Sequence, residues 1–376
     1  MNVLMLSEYP YDESEQGLGG IIQSTFQLLE GFKSIEDDFT INLCTLTNKK
    51  SKVITLNNKI KIHYIQNFKI MGFFYFYLYL IKTIFKEKIN LIHGQGTVTY
   101  IILSLFLFKK SVQTIHGIYR NELNLNFHDN VKFFLKFKFK IFLESLYIKK
   151  IKNLISITSE VEKFVSSSNK NLNSYHINNP VDINFFNHSK FRKNCFNLLF
   201  VAAITPRKGL DLLIKAFVEL VKIDNSFNLT VIGTWDWAPD YVESQKKYLK
   251  DAKIDKNVKF TGSIGRNELL NYFYSSDILI LPSYAESAPM VISQALCNGN
   301  LVIATKVGGI PEMICHSTNG VLINPGSSEE IFEAVKHFYY NPDDIINITR
   351  NAIIRSKMKY HPNSIAKKTI DFYKSI

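Results

Sequence analysis

Two runs of short apolar strands alternating with amphipathic helices, parted by Asn178-Asn179-Pro180-Val181-Asp182, constrain this chain more than any other feature. Before the break, residues 2–6, 39–46, 91–93, 112–116 and 153–158 read as strands. Residues 21–32 read as a helix with Ile21, Thr25, Leu28 and Phe32 on one face. After it, strands at 197–202, 228–232, 258–260, 278–281, 301–304 and 321–323 alternate with helices at 208–223, 241–253, 266–274, 290–298, 310–315 and 328–340. Such alternation builds parallel sheets with right-handed crossovers. The expected fold is therefore α/β with two parallel-sheet domains, residues 1–178 and 179–355; a helical tail at 356–376 is expected to pack back toward the first. Ligands bind open α/β sheets beyond the carboxyl ends of the strands, so a cleft between those ends is the expected site.

Cys44, Cys195, Cys297 and Cys315 lie far apart, which indicates neither a zinc site nor a disulfide framework. The first residues lack a basic leader and run straight into a strand. The apolar runs at 70–81 and 98–108 are shorter than the roughly 18–20 residues that cross a bilayer. A cytoplasmic protein, soluble or peripheral to the membrane, is expected.

Charge is distributed unevenly. Residues 49–152 hold 19 Lys and Arg against 4 Asp and Glu, a net of +15, whereas the whole chain carries +12. The densest part, 131–152, puts Phe134, Phe137, Ile141, Leu143, Leu146 and Ile148 on a broad apolar side of a helix, with Lys132, Lys136, Lys140 and Lys150 nearer the other. Its LKFKFKIF segment, residues 135–142, could also alternate as a strand. One reading is a basic aromatic helix lying on an anionic membrane surface, with residues 73–80 as a second aromatic patch. The other is a core helix with snorkelling lysines in a composition biased toward Lys, Phe, Ile and Asn. Nucleic acid is not an expected partner, because the chain has only 6 arginines to fork onto phosphates or bases.

The chemistry-bearing positions sit where strands meet helices. Glu286 follows a strand and the Pro282-Ser283 turn, and precedes the small-residue loop Ser287-Ala288-Pro289-Met290-Val291. Gln294 comes eight residues after Glu286. Packing alone explains a lone carboxylate there poorly, although first-turn glutamates also favour a helix dipole. Lys208, beside Arg207 and before Gly209 at a helix start, suits a phosphate, since its charge adds to free backbone N–H groups. His116 ends an apolar strand, and a strand-end histidine is often structural; His93 is a weaker candidate of the same kind. Gly19-Gly20 and Gly233 allow close backbone approach. No Asp-x-Asp metal motif stands at a strand end.

Taken in order, Gly19-Gly20, Thr114-Ile115-His116-Gly117, Ser159-Glu160, Asn179–Asp182, Pro206-Arg207-Lys208-Gly209, Gly233, Gly262, Pro282–Glu286 and Gly308–Glu312 resemble the motifs of the family 4 glycosyltransferases. The resemblance is strongest from Asn179 to Asn324. It implies the GT-B architecture, with two Rossmann-like domains facing a central cleft. It also implies a retaining, metal-independent transfer from a nucleotide diphosphate sugar, with no cofactor. His116, Glu286 and Lys208 would be catalytic. Gly19, Gly20, Arg207, Gly233, Ser287, Ala288, Pro289, Met290, Val291 and Gln294 would complete the donor site. Two departures stand out: Ala203 occupies the place of an arginine usual in the family, and Gln294 that of its second glutamate, which accepts from ribose hydroxyls. With the basic region, the resemblance suggests a lipid-linked glycan acceptor in bacterial surface polysaccharide assembly. A soluble transferase on a non-lipid acceptor and a non-catalytic nucleotide-sugar binder are the alternatives.

Overall fold

The computed structural model describes residues 1–12, 19–67, 69–96, 98–107, 110–118, 131–187 and 195–376. The side chains of Phe73, Lys132, Phe134 and Lys136 lie outside what is described. The chain forms two units, Met1–Pro180 with Pro362–Ile376, and Val181–His361.

The first unit runs β1 (Asn2–Leu6), α1 (Gly20–Lys33), β2 (Thr40–Thr47), β3 (Lys52–Thr55), β4 (Ile60–Gln66), α2 (Lys69–Lys86), β5 (Leu91–Gln95), α3 (Val98–Leu107), β6 (Ser111–Ile115), α4 (Val131–Tyr147), β7 (Asn153–Ser156), α5 (Ser159–Ser168) and β8 (Asn173–His176). Its sheet has the order β3-β4-β2-β1-β5-β6-β7-β8, parallel except where β3 turns back on β4. Strand parity splits the core. Val3 and Met5 pack with Leu28, Leu29 and Phe32 of α1, while Leu4 and Leu6 pack with Phe76 and Leu80 of α2. The 131–147 segment is helical, so the strand alternative falls. Phe137 and Tyr147 face inward, but Leu146, expected on the buried side, is 50% exposed. Phenylalanines stand on both sides of this helix, which is why periodicity did not identify the inner one.

The second unit runs α6 (Ile183–Asn187), β9 (Asn197–Val201), α7 (Leu210–Ile223), β10 (Asn228–Ile232), α8 (Pro239–Asp251), β11 (Val258–Gly262), α9 (Arg266–Ser275), β12 (Ile278–Leu281), α10 (Met290–Asn298), β13 (Leu301–Thr305), α11 (Ile310–Met313), β14 (Val321–Ile323), α12 (Ser328–Tyr340) and α13 (Pro342–Tyr360). Its sheet is parallel throughout, in the order β11-β10-β9-β12-β13-β14. Strands buried on both faces explain runs such as Ile278–Leu281, in which every residue is buried.

The boundary expected at 355/356 falls inside α13, which continues to Tyr360. The break comes at His361, whose extended backbone is what a following proline imposes. The last helix, α14 (Pro362–Lys374), belongs to the first unit, where Ile365, Ala366, Ile370 and Tyr373 join the α1 side of the core.

Candidate active site

In the second unit the strand order reverses between β9 and β12, which are direct neighbours. Chain leaving adjacent strands at such a point departs in opposite directions and opens a crevice. The loop after β9 carries Arg207, Lys208 and Gly209, and the loop after β12 carries Pro282–Pro289. Lys208 was expected to open a helix. It instead ends the short turn Pro206–Lys208, after which Gly209 turns left-handed, with φ 70, and α7 begins at Leu210. A Cβ at Gly209 would lie 2.2 Å from the Pro282 carbonyl oxygen, so glycine lets the two loops meet. Gly233, after β10, is tighter still: a Cβ there would lie 1.7 Å from the Ala202 carbonyl oxygen.

The meeting of these loops pairs the two residues singled out from the sequence. Lys208 Nζ lies 2.5 Å from Glu286 Oε1, with side-chain exposures of 13% and 8%. Ser283, fully buried, donates its hydroxyl to the same oxygen at 2.8 Å. Thr305, at the end of β13, donates to the Ser283 carbonyl at 2.6 Å, and the Gly309 N–H donates to the Ser287 carbonyl at 3.0 Å. The carboxylate is thus held through a chain of contacts reaching into the neighbouring strand. Ser283 and Thr305 were not read as site residues from the sequence; a serine three positions before the glutamate was the available signal. Arg207 donates to the Ala285 carbonyl at 2.7 Å, so here its guanidinium braces the loop. Pro289 stands one residue before α10 as its N-cap, not within the first turn. Met290 and Gln294 are buried in α10, with Gln294 at 4% exposure. The starts of α7 and α10 both follow these loops, and helix N-termini favour anions. Among the described residues, no group of three or more His, Cys, Asp or Glu is arranged to hold a metal ion.

The remaining expected residues lie in the first unit. Gly19 has φ 73 and open space around its Cβ position, and α1 starts at Gly20. His116 follows β6 directly, and its Nε2 is buried with no hydrogen-bond partner among the described residues. Burial pushes its pKa down to about 4. His93 is a core residue: its ring bonds the Tyr373 hydroxyl at 2.5 Å and the Thr114 hydroxyl at 2.8 Å. Burial, and secondarily His116, push its pKa down to about 3. Unfolded histidine titrates near 6.5. Below that pH the unfolded chain therefore binds protons that the folded chain refuses, and stability falls with pH. Each histidine should cost about 1.4 kcal/mol per pH unit between pH 6.5 and pH 4. The melting temperature should fall increasingly as pH drops over that range, and His116→Gln should remove about half of the contribution of these two histidines.

Residues 182–357 match the model of the family described as Glycosyl transferases group 1. The chain carries a group 1 glycosyltransferase domain. That domain is the second unit almost residue for residue, and it contains the Lys208–Glu286 pair. One similar protein is a D-inositol 3-phosphate glycosyltransferase of Pseudarthrobacter chlorophenolicus, 29% identical over 43% of this chain and 39% of its own. Another is a lipopolysaccharide 1,2-N-acetylglucosaminetransferase of Salmonella typhimurium, 33% identical over 37% of this chain and 38% of its own. The chain thus spans less than half the length of these relatives. Anabaena Alr3699/HepE in complex with UDP-glucose is similar over 100% of both chains, with a TM-score of 0.74 and 18% identity. This likeness gives the fold: the glycosyltransferase domain and the first unit are the two Rossmann-like domains of the GT-B architecture.

Proposed function

We propose that the chain is a retaining glycosyltransferase that takes its sugar from a nucleotide diphosphate donor. The observation that supports this most directly is the Lys208–Glu286 pair at the β9/β12 crevice of a group 1 glycosyltransferase domain. Lys208 and the N-termini of α7 and α10 receive the diphosphate, where no metal is needed to neutralise it. Glu286 receives the sugar hydroxyls. The bond from the anomeric carbon to the diphosphate breaks while the acceptor oxygen bonds to that carbon on the same face. The acceptor's proton passes to the departing diphosphate. His116 of the first unit orients the sugar. Gln294 accepts from the ribose through its amide oxygen without the strength of a charged acceptor.

The acceptor is a lipid-linked glycan of bacterial surface polysaccharide assembly, met at the inner face of the cytoplasmic membrane. The lipopolysaccharide transferase among the relatives and the basic first unit support that choice. The inositol-phosphate relative favours the second reading, a soluble small-molecule acceptor.

A panel of nucleotide diphosphates and their sugars, read by thermal shift, tests the donor. A donor at about 100 times its Kd should raise Tm by roughly 5–10 °C. Gln294→Glu should tighten that donor about tenfold while leaving turnover in place. No shift with any nucleotide sugar ends this reading, and lost turnover in Gln294→Glu would mean the amide has a task of its own.

A further inference from the structure

The outermost helices of the first unit are built inside out. On α4, Leu135, Phe139, Phe142 and Leu146 fall at helical spacing along one stripe and are 50–60% exposed. On α2, Phe74, Tyr75, Leu78 and Phe85 fall along a similar stripe and are 47–78% exposed. Each helix also has a buried side, Phe137 and Tyr147 on α4 and Phe76 and Leu80 on α2, so neither outer stripe is needed to hold the fold. Helix α3 sits between them. Its Tyr100 and Leu103 pack with α2, and its Ile101 lies in the cluster that holds the end of α4. The two clusters rest on Ile92 of β5 and Ile115 of β6, which strand register places on one face of the sheet. Both stripes therefore look away from the same sheet face.

What covers them is decided by charge. Lys82, Lys86, Lys88, Lys138, Lys149 and Lys150 are exposed on or beside these helices, within the 49–152 stretch whose net charge is +15. A second copy of the chain would set lysine against lysine. An anionic bilayer would take both features, the stripes in its apolar boundary and the ammonium groups among its headgroups. Among the described residues no helix is long and apolar enough to cross a membrane, so the contact is one of lying on the surface.

We propose that the outward stripes of α2 and α4 form an insertion surface for an anionic lipid bilayer. The surface borders the unit's functional edge. Burial raises the pKa of Glu8, two residues beyond β1, and Lys140 of α4 is close enough to oppose that rise in part; β1 ends where the strand order of this sheet reverses. A lipid-borne acceptor would thus reach the carboxyl ends of the strands without leaving the headgroup layer. This deepens, and rests on, the reading of the acceptor as lipid-linked.

The test is flotation of the full chain with vesicles of phosphatidylglycerol and phosphatidylcholine, or of phosphatidylcholine alone. The native chain should float with the anionic vesicles, weaken as salt rises, and keep a residual bound fraction at high salt from the inserted side chains. Phe139→Ser with Phe142→Ser should cut anionic binding more than tenfold with an unchanged melting temperature, since both rings are exposed. Phe85→Ser should weaken it independently. Flotation of the double variant equal to native, or no binding to anionic vesicles at low salt, overturns the proposal. So does a dimer in solution that the double variant splits. Donor thermal shifts on the same proteins separate the two conclusions: a chain that floats but shifts with no nucleotide sugar keeps this surface and loses the proposed activity.

Discussion

Glu286→Ala is expected to lower sugar transfer by about 10²–10³-fold, the usual cost of removing a pre-set polar group from a reacting centre. Glu286 Oε1 is held by Lys208 and Ser283, leaving Oε2 as the oxygen free to meet a sugar. On the proposed reading, the diphosphate of an arriving donor would compete for Lys208 and leave Ser283 as the remaining anchor of the carboxylate. Ser283→Ala should therefore lower kcat more than it raises KM for the donor, whereas Lys208→Met should act mainly on donor binding. Alanine at 286 also leaves the Lys208 ammonium, 13% exposed, without its counter-ion. Some loss of thermal stability should accompany the kinetic loss. Glu286→Gln also removes the charge but keeps the volume, so it isolates the loss of the ion pair from the loss of packing. Measured turnover in Glu286→Ala equal to native would remove this residue from the chemistry.

Gly209→Ala should damage both stability and donor binding. At φ 70 a residue with a Cβ costs about 1–2 kcal/mol in backbone strain alone. Its Cβ would also be driven against the Pro282 carbonyl, 2.2 Å away, so the β9 and β12 loops must part. A total of about 2–4 kcal/mol is expected, visible as a fall in Tm. Parting the loops separates Lys208 from Glu286, so donor affinity should drop at least tenfold with it. A Gly209→Ala protein that melts and binds like native would mean the loops are not held by this contact.

The architecture could be read from the sequence because buried parallel strands such as Ile278–Leu281 are short and apolar throughout, and helices such as α7 show one apolar face. Strands β3 and β4 could not: β3 is only four residues long and alternates half-buried and exposed positions, as an edge strand does. Lys208 and Glu286 were each legible from their place at a strand end. Their pairing, 78 residues apart, was not, because it depends on which strands neighbour each other in the sheet. Thr305 was hidden for the same reason. The exposed side of α4 was misjudged at Leu146 since hydrophobicity alone does not say which phenylalanines meet a core.

The return of α14 to the first unit has a consequence for how this chain is made. Tyr373 is buried against His93, 280 residues earlier, and Ile365 and Ile370 fill the same core as the first helix. Synthesis delivers that helix only after the whole of the second unit. The glycosyltransferase domain, Val181–His361, is continuous and can fold as it emerges, whereas the first unit must wait with an open apolar seam until α14 leaves the ribosome. The order of birth of the two units is thus inverted with respect to their order of completion, and the earlier-translated unit is the one left longer in need of protection.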